Sequence, residues 1–215
     1  MNAIILSTNL GRPQLDPGGS QRQSGIDKRP VDSLEVFAPG PNYGDGSGVV
    51  GDTVGDVKHH GGAQKAVYAF SREQLDYWQD RLGRELAPGS FGENLTTEGI
   101  DLAALLINQR VRVGTAELEV STSRQPCRTF GAWMREAGWL KAFIGHGHCG
   151  AYFRVAKPGV IRAGDPIELV GRPDHDVDMF TLFAANTGDK QAARRVVEAR
   201  CMPEMYRGRF EAMLP

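Results

Sequence analysis

The chain has 215 residues, of which 40% are hydrophobic and 24% charged, with a formal net charge of −1. This composition excludes a disordered chain, which lacks the apolar residues to pack a core. The near-zero charge also argues against a protein built to neutralise nucleic-acid phosphates, so no nucleic-acid polymer is expected as partner. No apolar run approaches the roughly 20 residues of a membrane span, and the opening MNAIILSTNL lacks the basic start of a secretory signal. Cys127, Cys149 and Cys201 lie in unrelated contexts and give no disulfide framework. A cytoplasmic protein with no membrane partner is expected.

The chain holds 27 Gly and 12 Pro, more than the roughly one residue in eight of average proteins, which points to many turns and short strands. Ala3–Leu6 is a buried-strand candidate, and Leu34–Phe37 alternates apolar with polar residues. Residues 38–56, APGPNYGDGSGVVGDTVGD, read as a long surface loop or a series of tight turns. Loops of that length are frequently functional. A helix starts at Ser71, with Gln74 completing a capping box and Leu75, Trp78 and Leu82 on one face, and ends between Gly83 and Pro88. Arg110–Gly114 and Glu117–Ser121 read as a hairpin, and Phe130–Trp139 as a short helix. Two more strands follow, Ala151–Val155 and Ile167–Val170, separated by the turn residues of 157–159 and 164–166.

After Gly171 the glycines thin out, and three helices are expected. They run over Val177–Ala185, over Lys190–Arg200 capped by Asp189, and over Glu204–Met213 opened by Pro203. The expectation is therefore a β-rich α+β fold, with a main domain over 1–172 and a three-helix C-terminal extension over 173–215 packed on it.

Four segments could carry chemistry. Residues 56–62, Asp-Val-Lys-His-His-Gly-Gly, bring two His, a Lys and an acid next to two glycines. On a strand only one of His59 and His60 faces a given site, and Gly61 and Gly62 permit positive φ or close approach to a ligand. Residues 121–128, Ser-Thr-Ser-Arg-Gln-Pro-Cys-Arg, place Cys127 after a stiffening proline and between Arg124 and Arg128. Cationic neighbours suit a thiolate, the nucleophilic and metal-ligating form of cysteine. Residues 145–150 gather His146, His148 and Cys149, on their face a zinc set, though no second ligand pair accompanies them. Residues 91–97 offer Glu93 and Asn94 as polar recognition groups in a glycine-started turn.

Taken in order, several stretches resemble the MOSC domain, the module found at the C-terminus of molybdenum-cofactor sulfurases. They are Ser24-Gly-Ile-Asp-Lys-Arg-Pro-Val, Gly55-Asp-Val-Lys-His-His-Gly-Gly with Lys65-Ala-Val-Tyr, Pro88-Gly-Ser-Phe-Gly-Glu-Asn-Leu-Thr-Thr, Arg124-Gln-Pro-Cys, Tyr152-Phe-Arg-Val and Pro158-Gly-Val-Ile-Arg-Ala-Gly-Asp. The stand-alone bacterial branch linked to resistance against 6-N-hydroxylaminopurine is the most similar. The resemblance implies a MOSC-type β-barrel with peripheral helices and a pocket lined by these loops. It implies the molybdenum cofactor (a molybdopterin), with the metal on Cys127, and no pyridoxal phosphate. Lys28, Lys58, Arg124 and Arg128 are the cofactor-binding cations it suggests, with Asn94 and Thr122 as polar partners and His60 as a catalytic proton shuttle beside Cys127. Asn108-Gln109 stand where the family carries Gly-Asp, which changes a turn.

The implied function is a molybdenum-cofactor oxidoreductase that reduces small N-hydroxylated bases or amidoximes to amines. Its electrons would come from a separate redox protein of the flavoprotein type. The alternatives are a sulfur-carrier or pterin-binding module with a Cys127 persulfide, and a zinc protein using His146, His148 and Cys149.

Overall fold

Strands of one buried face and helices with local caps are the units of this molecule, a computed structural model that describes residues 3–214. Met1, Asn2 and Pro215, the outer ends of the two expected segments, lie outside the described residues. The strands are β1 (Ile4–Gly11), β2 (Gln14–Leu15), β3 (Gln23–Ser24), β4 (Lys28–Val31), β5 (Ser33–Val36), β6 (Val67–Ser71), β7 (Leu95–Glu98), β8 (Arg110–Val113), β9 (Ala116–Thr122), β10 (Ala151–Lys157), β11 (Gly159–Arg162) and β12 (Ile167–Val170). The helices are α1 (Arg72–Leu82), α2 (Arg128–Met134), α3 (Trp139–His146), α4 (Met179–Asn186), α5 (Lys190–Ala199) and α6 (Glu204–Glu211).

Eight strands form one mixed sheet in the order β12-β8-β9-β10-β6-β7-β1-β4, and β11 pairs with β5 in a separate ribbon. In β8 the valines turn inward while Arg110 and Arg112 face water and pair with Glu117, Glu119 and Glu168. β6 is buried at every position and pairs in parallel with β7. A parallel pair needs a crossover, and α1 supplies it. The Ser71 hydroxyl accepts the Gln74 N–H at its start, and Gly83, at φ 63°, ends it.

The sheet curls. The Ile5 N–H donates to the Asp165 carbonyl and the Ile167 N–H to the Ala3 carbonyl, both at 2.9 Å, so the start of β1 touches the start of β12. The pairing order nevertheless has two ends, β12 and β4, and no ladder joins them among the described residues. The ladders describe a curled sheet within a mixed α+β fold, and an antiparallel bridge between Ile4 and Pro166 is the contact that brings β1 and β12 together. Asn108 keeps the turn before β8: it adopts a left-handed φ of 66°, which asparagine tolerates better than most side chains.

The single helix expected over Phe130–Trp139 is two. Arg135 and Gly138 take left-handed φ values of 51° and 73°, breaking the chain between α2 and α3. Trp139 and Phe143, one turn apart on α3, then drop into a ring cluster with Trp78, Phe91 and Phe130 at centroid separations of 4.6–6.2 Å. Phe130, one ring of this aromatic floor, carries the Arg124 guanidinium on its face. At the C-terminal end, Asp178 caps α4 and Asp189 caps α5. Leu182, Phe183, Ala193, Val196 and Phe210 are buried in the same apolar core as the sheet. No helix among the described residues is long and apolar enough to cross a membrane.

Candidate functional site

A cleft of about 780 Å³, part of it open to solvent, lies among the turn-rich segment 47–61, the start of β4, the loop before β7 and the loop after β9. Lys28, His60, Asn94, Arg124 and Cys127 all line it. Local backbone explains how they meet. β9 ends at Thr122 and the chain runs extended to Cys127, which forms the N-cap of α2 without using its side chain in a cap bond. The thiol is therefore left free, half-buried, on the cleft.

Residues 57–60 form a turn rather than the strand assumed for His59 and His60. Still, His60 enters the cleft, while His59 is exposed and bonds Asp56 at 3.1 Å. Gly61 and Gly62 take positive φ, 82° and 71°, both are approached closely by the backbone of the 40–46 loop, and Gly61 also lines the cleft. A Cβ on Gly62 would stand 2.0 Å from the Asn42 carbonyl oxygen. The histidine turn is thereby clamped to the glycine-rich loop.

The cations of the cleft fall into two kinds. The Lys28 ammonium is nearly inaccessible and donates to both carboxylate oxygens of Asp52 at 2.6 Å. Asp52 also accepts from Asn94 Nδ2 at 2.8 Å and from the Gly11 N–H at 2.9 Å. Burial works to raise the Asp52 pKa; the Lys28 charge and these donors outweigh it and hold the carboxyl below its usual range. Lys28 and Asn94 are thus committed to one buried carboxylate. Arg22 is likewise neutralised, by Asp16 and Asp56.

Arg124 and Lys65 are different. The buried Arg124 guanidinium lies 3.8 Å from the Phe130 ring centroid and 5.0 Å from that of Tyr68, and donates to the Phe91 carbonyl. Lys65 closes a short 3-10 turn, Ala63–Lys65, before β6. Its ammonium donates to the His59 carbonyl at 2.7 Å and faces the rings of Tyr43 and Tyr152 at 4.8 and 5.8 Å. Neither cation has a carboxylate partner among the described residues. Burial pushes the Lys65 amine down to about 8. Burial, with the charges of Lys65 and Arg124, pushes the His60 imidazole down to about 3, so His60 is neutral at physiological pH.

Three expected residues do not line the cleft. Lys58 and Arg128 are exposed, one in the histidine turn and the other on the first turn of α2. Thr122 is 4% exposed and faces Tyr152 across the β9–β10 ladder. Asp52, Lys65, Tyr68 and Tyr152 line the cleft without having been expected there. Lys65 left a signal in the sequence, a lone lysine opening the apolar run Val67–Phe70. Asp52 left none, because nothing in its spacing ties it to Lys28.

The apparent zinc set disperses. Cys149 is buried, its thiol pushed up to about 12 by burial, and it donates to the Gly150 carbonyl. His146 stacks on Tyr77 at 4.0 Å and bonds the Gln74 side chain at 2.6 Å, while His148 sits 3.9 Å from Asp101. Among the described residues, no three His, Cys, Asp or Glu side chains are placed to hold a metal, which overturns the zinc reading.

The model of the MOSC domain matches residues 56–168, a span that carries His60, Lys65, Asn94, Arg124 and Cys127. The chain belongs to the MOSC family. This MOSC protein is 30% identical over 210 residues to protein YflK of Bacillus subtilis, covering 96% of this chain and 92% of YflK. The crystal structure of YiiM from Geobacillus stearothermophilus superposes with a TM-score of 0.78 at 28% identity, covering 99% of this chain and all of that one. A protein named reductase from Gibberella moniliformis is 30% identical over 174 residues, and the chain spans 30% of its length. The chain is a YiiM-like MOSC protein.

Proposed function

We propose that the cleft binds a molybdenum cofactor and that the protein is an oxidoreductase reducing small N-hydroxylated bases or amidoximes to amines. The observation that carries this reading is a half-buried free thiol, Cys127, in the same cleft as two cations without carboxylate partners among the described residues, the buried Arg124 and the half-buried Lys65. That donor set fits the group. A thiolate is a soft ligand suited to a soft metal centre, and unpaired cations suit the anionic pterin phosphate. The reductase name carried by one relative agrees with the reading.

When bound, such a cofactor supplies the two-electron chemistry that removes oxygen from nitrogen. Reduction of an N-hydroxyl compound to an amine and water consumes two electrons and two protons. The electrons come from a separate redox protein of the flavoprotein type. For the protons, Lys65 is the better source: with its pKa near 8, its Nζ holds a proton at neutral pH and releases it readily. His60, neutral above a pKa of about 3, serves as a hydrogen-bonding relay between its two ring nitrogens. The rings of Tyr68 and Tyr152 border this end of the cleft and limit water around both cations.

The test is metal and pterin content after expression in a molybdenum-replete host, with N-hydroxylaminopurine reduction driven by an artificial electron donor. Cys127→Ser is expected to fold normally and to lose both molybdenum and activity. Full molybdenum occupancy in that variant would refute the ligand role. A stable extra sulfur on Cys127 in cells unable to make molybdopterin would instead favour the sulfur carrier.

A further inference from the structure

We propose that Tyr206 of α6 is a positioning residue of the cleft: its hydroxyl holds the Tyr43 ring against the Lys65 ammonium and so sets where that cation stands. The functional consequence, an anion met at Lys65, rests on the function proposed above; the positioning itself does not.

Two ties converge on Lys65 from the C-terminal helices. In the first, the hydroxyls of Tyr206 and Tyr43 are hydrogen-bonded at 2.7 Å, with ring centroids 6.4 Å apart. The Tyr43 ring in turn faces Lys65 Nζ at 4.8 Å. Tyr43 belongs to the glycine-rich loop, whose backbone places few limits on a ring, so a fixed partner for its hydroxyl restricts it. In the second tie, Asn108 Nδ2 donates to the Cys201 carbonyl, just before α6, and Asn108 Oδ1 accepts from Arg154. Arg154 also donates to Gln64 Oε1 at 2.9 Å, and Gln64 is the neighbour of Lys65 on the same 3-10 turn. The turn is thus pinned through Gln64, and the end of the Lys65 side chain is steered by Tyr43. Tyr43 and Tyr206 both fall outside the matched span of 56–168, so this arrangement is set by parts of the chain beyond the family module.

The six lysines of the chain can be followed by NMR after incorporation of lysine labelled with 13C at Cε, with Lys65→Arg identifying the Lys65 signal. Ring currents from Tyr43 and Tyr152 shift the Lys65 ε-protons upfield. Tyr206→Phe keeps the ring and removes the bond; the upfield displacement is expected to fall to about half or less, since the attraction of a cation to a ring face is by itself too weak to hold a mobile ring in place. The other five lysine signals stay in place. Tyr43→Phe breaks the same bond from the other side and gives the same result even if Tyr206→Phe folds poorly, and the double variant adds nothing further. An unchanged Lys65 signal in Tyr43→Phe and Tyr206→Phe overturns the proposal. Titration with inorganic phosphate separates the positioning role from the anion site. A Lys65 signal that phosphate does not move counts against the anion site, while the two phenylalanine variants decide the role of Tyr206 on their own.

Discussion

Lys28 and Lys65 line one cleft in opposite electrostatic settings, and the difference teaches what a site lysine is. Lys28 is locked to Asp52, which also takes Asn94 and Gly11; its charge is spent on joining β4 to the glycine-rich loop. Lys65 has one carbonyl and two ring faces, with no carboxylate. The first lysine is part of the frame. The second keeps its charge unpaired by any carboxylate among the described residues.

Removal of Asp52 tests the frame most severely. Asp52→Ala leaves the buried Lys28 ammonium uncompensated, and breaking a buried pair in this way costs ~3–5 kcal/mol. A urea titration is expected to show that loss, and Lys28→Met combined with Asp52→Leu is expected to recover most of it. A loss below ~1 kcal/mol, the range of a surface pair, would erase the contrast between the two lysines.

Lys65→Met acts in the opposite direction. The amine is pushed down to about 8 in the folded protein from an ordinary 10.5. Between those values the unfolded chain binds more protons than the folded one, so this group makes stability rise with pH, and below pH 8 its burial is a full cost. The methionine variant is expected to unfold at higher urea than the parent at pH 7, with the difference vanishing above pH 10.5. It is also expected to bind inorganic phosphate less tightly, with Lys65→Arg retaining the binding past pH 9. Equal urea midpoints for parent and variant at both pH 7 and pH 11 would show that Lys65 is not a desolvated cation lacking a carboxylate.

The smallest effect is expected at His60, whose pKa falls to about 3 from an ordinary 6.5. As pH drops from 6.5 towards 3 the unfolded chain takes up the proton first, so the stability associated with a neutral His60 is intact above that window and is lost within it. His60→Gln is expected to flatten the acid side of the stability curve relative to the parent and to leave it unchanged at pH 7.5. Parallel curves from pH 7 to pH 4 would place His60 in solvent rather than in the cleft.

Elements announced by neighbouring residues were legible. α1 is one: Ser71 caps it and Gly83 ends it within a dozen residues. The cap of α5 is another, Asp189 accepting from amides two and three residues on, whereas α4 starts at Met179 behind an Asp178 cap that the expected helix from Val177 had placed inside itself. α3 was not legible: the residue pattern ended one helix at Trp139, where α3 begins, and marked none over 140–146, because what fixes it is the packing of Trp139 and Phe143 into the aromatic floor. Within the cleft, the ordered motifs pointed to Cys127, Arg124, His60 and Asn94, and all four do line it. The same motifs pointed to Lys28 as a cofactor-binding cation and passed over Lys65, because a motif match carries no information about which carboxylate a lysine will meet.

Short-range rules acting over a turn or a strand pair, such as cap chemistry, the two-residue alternation and the glycines at positive φ, made the element types, the mixed α+β class and the family pattern readable from residue order. Charge balance obeys no such rule. Asp52 lies 24 residues from Lys28 and 42 from Asn94, and Tyr206 lies 163 from Tyr43. Coulomb and hydrogen-bond energies depend on separation in space, so folding alone settled which cation was neutralised and which was left open in the cleft.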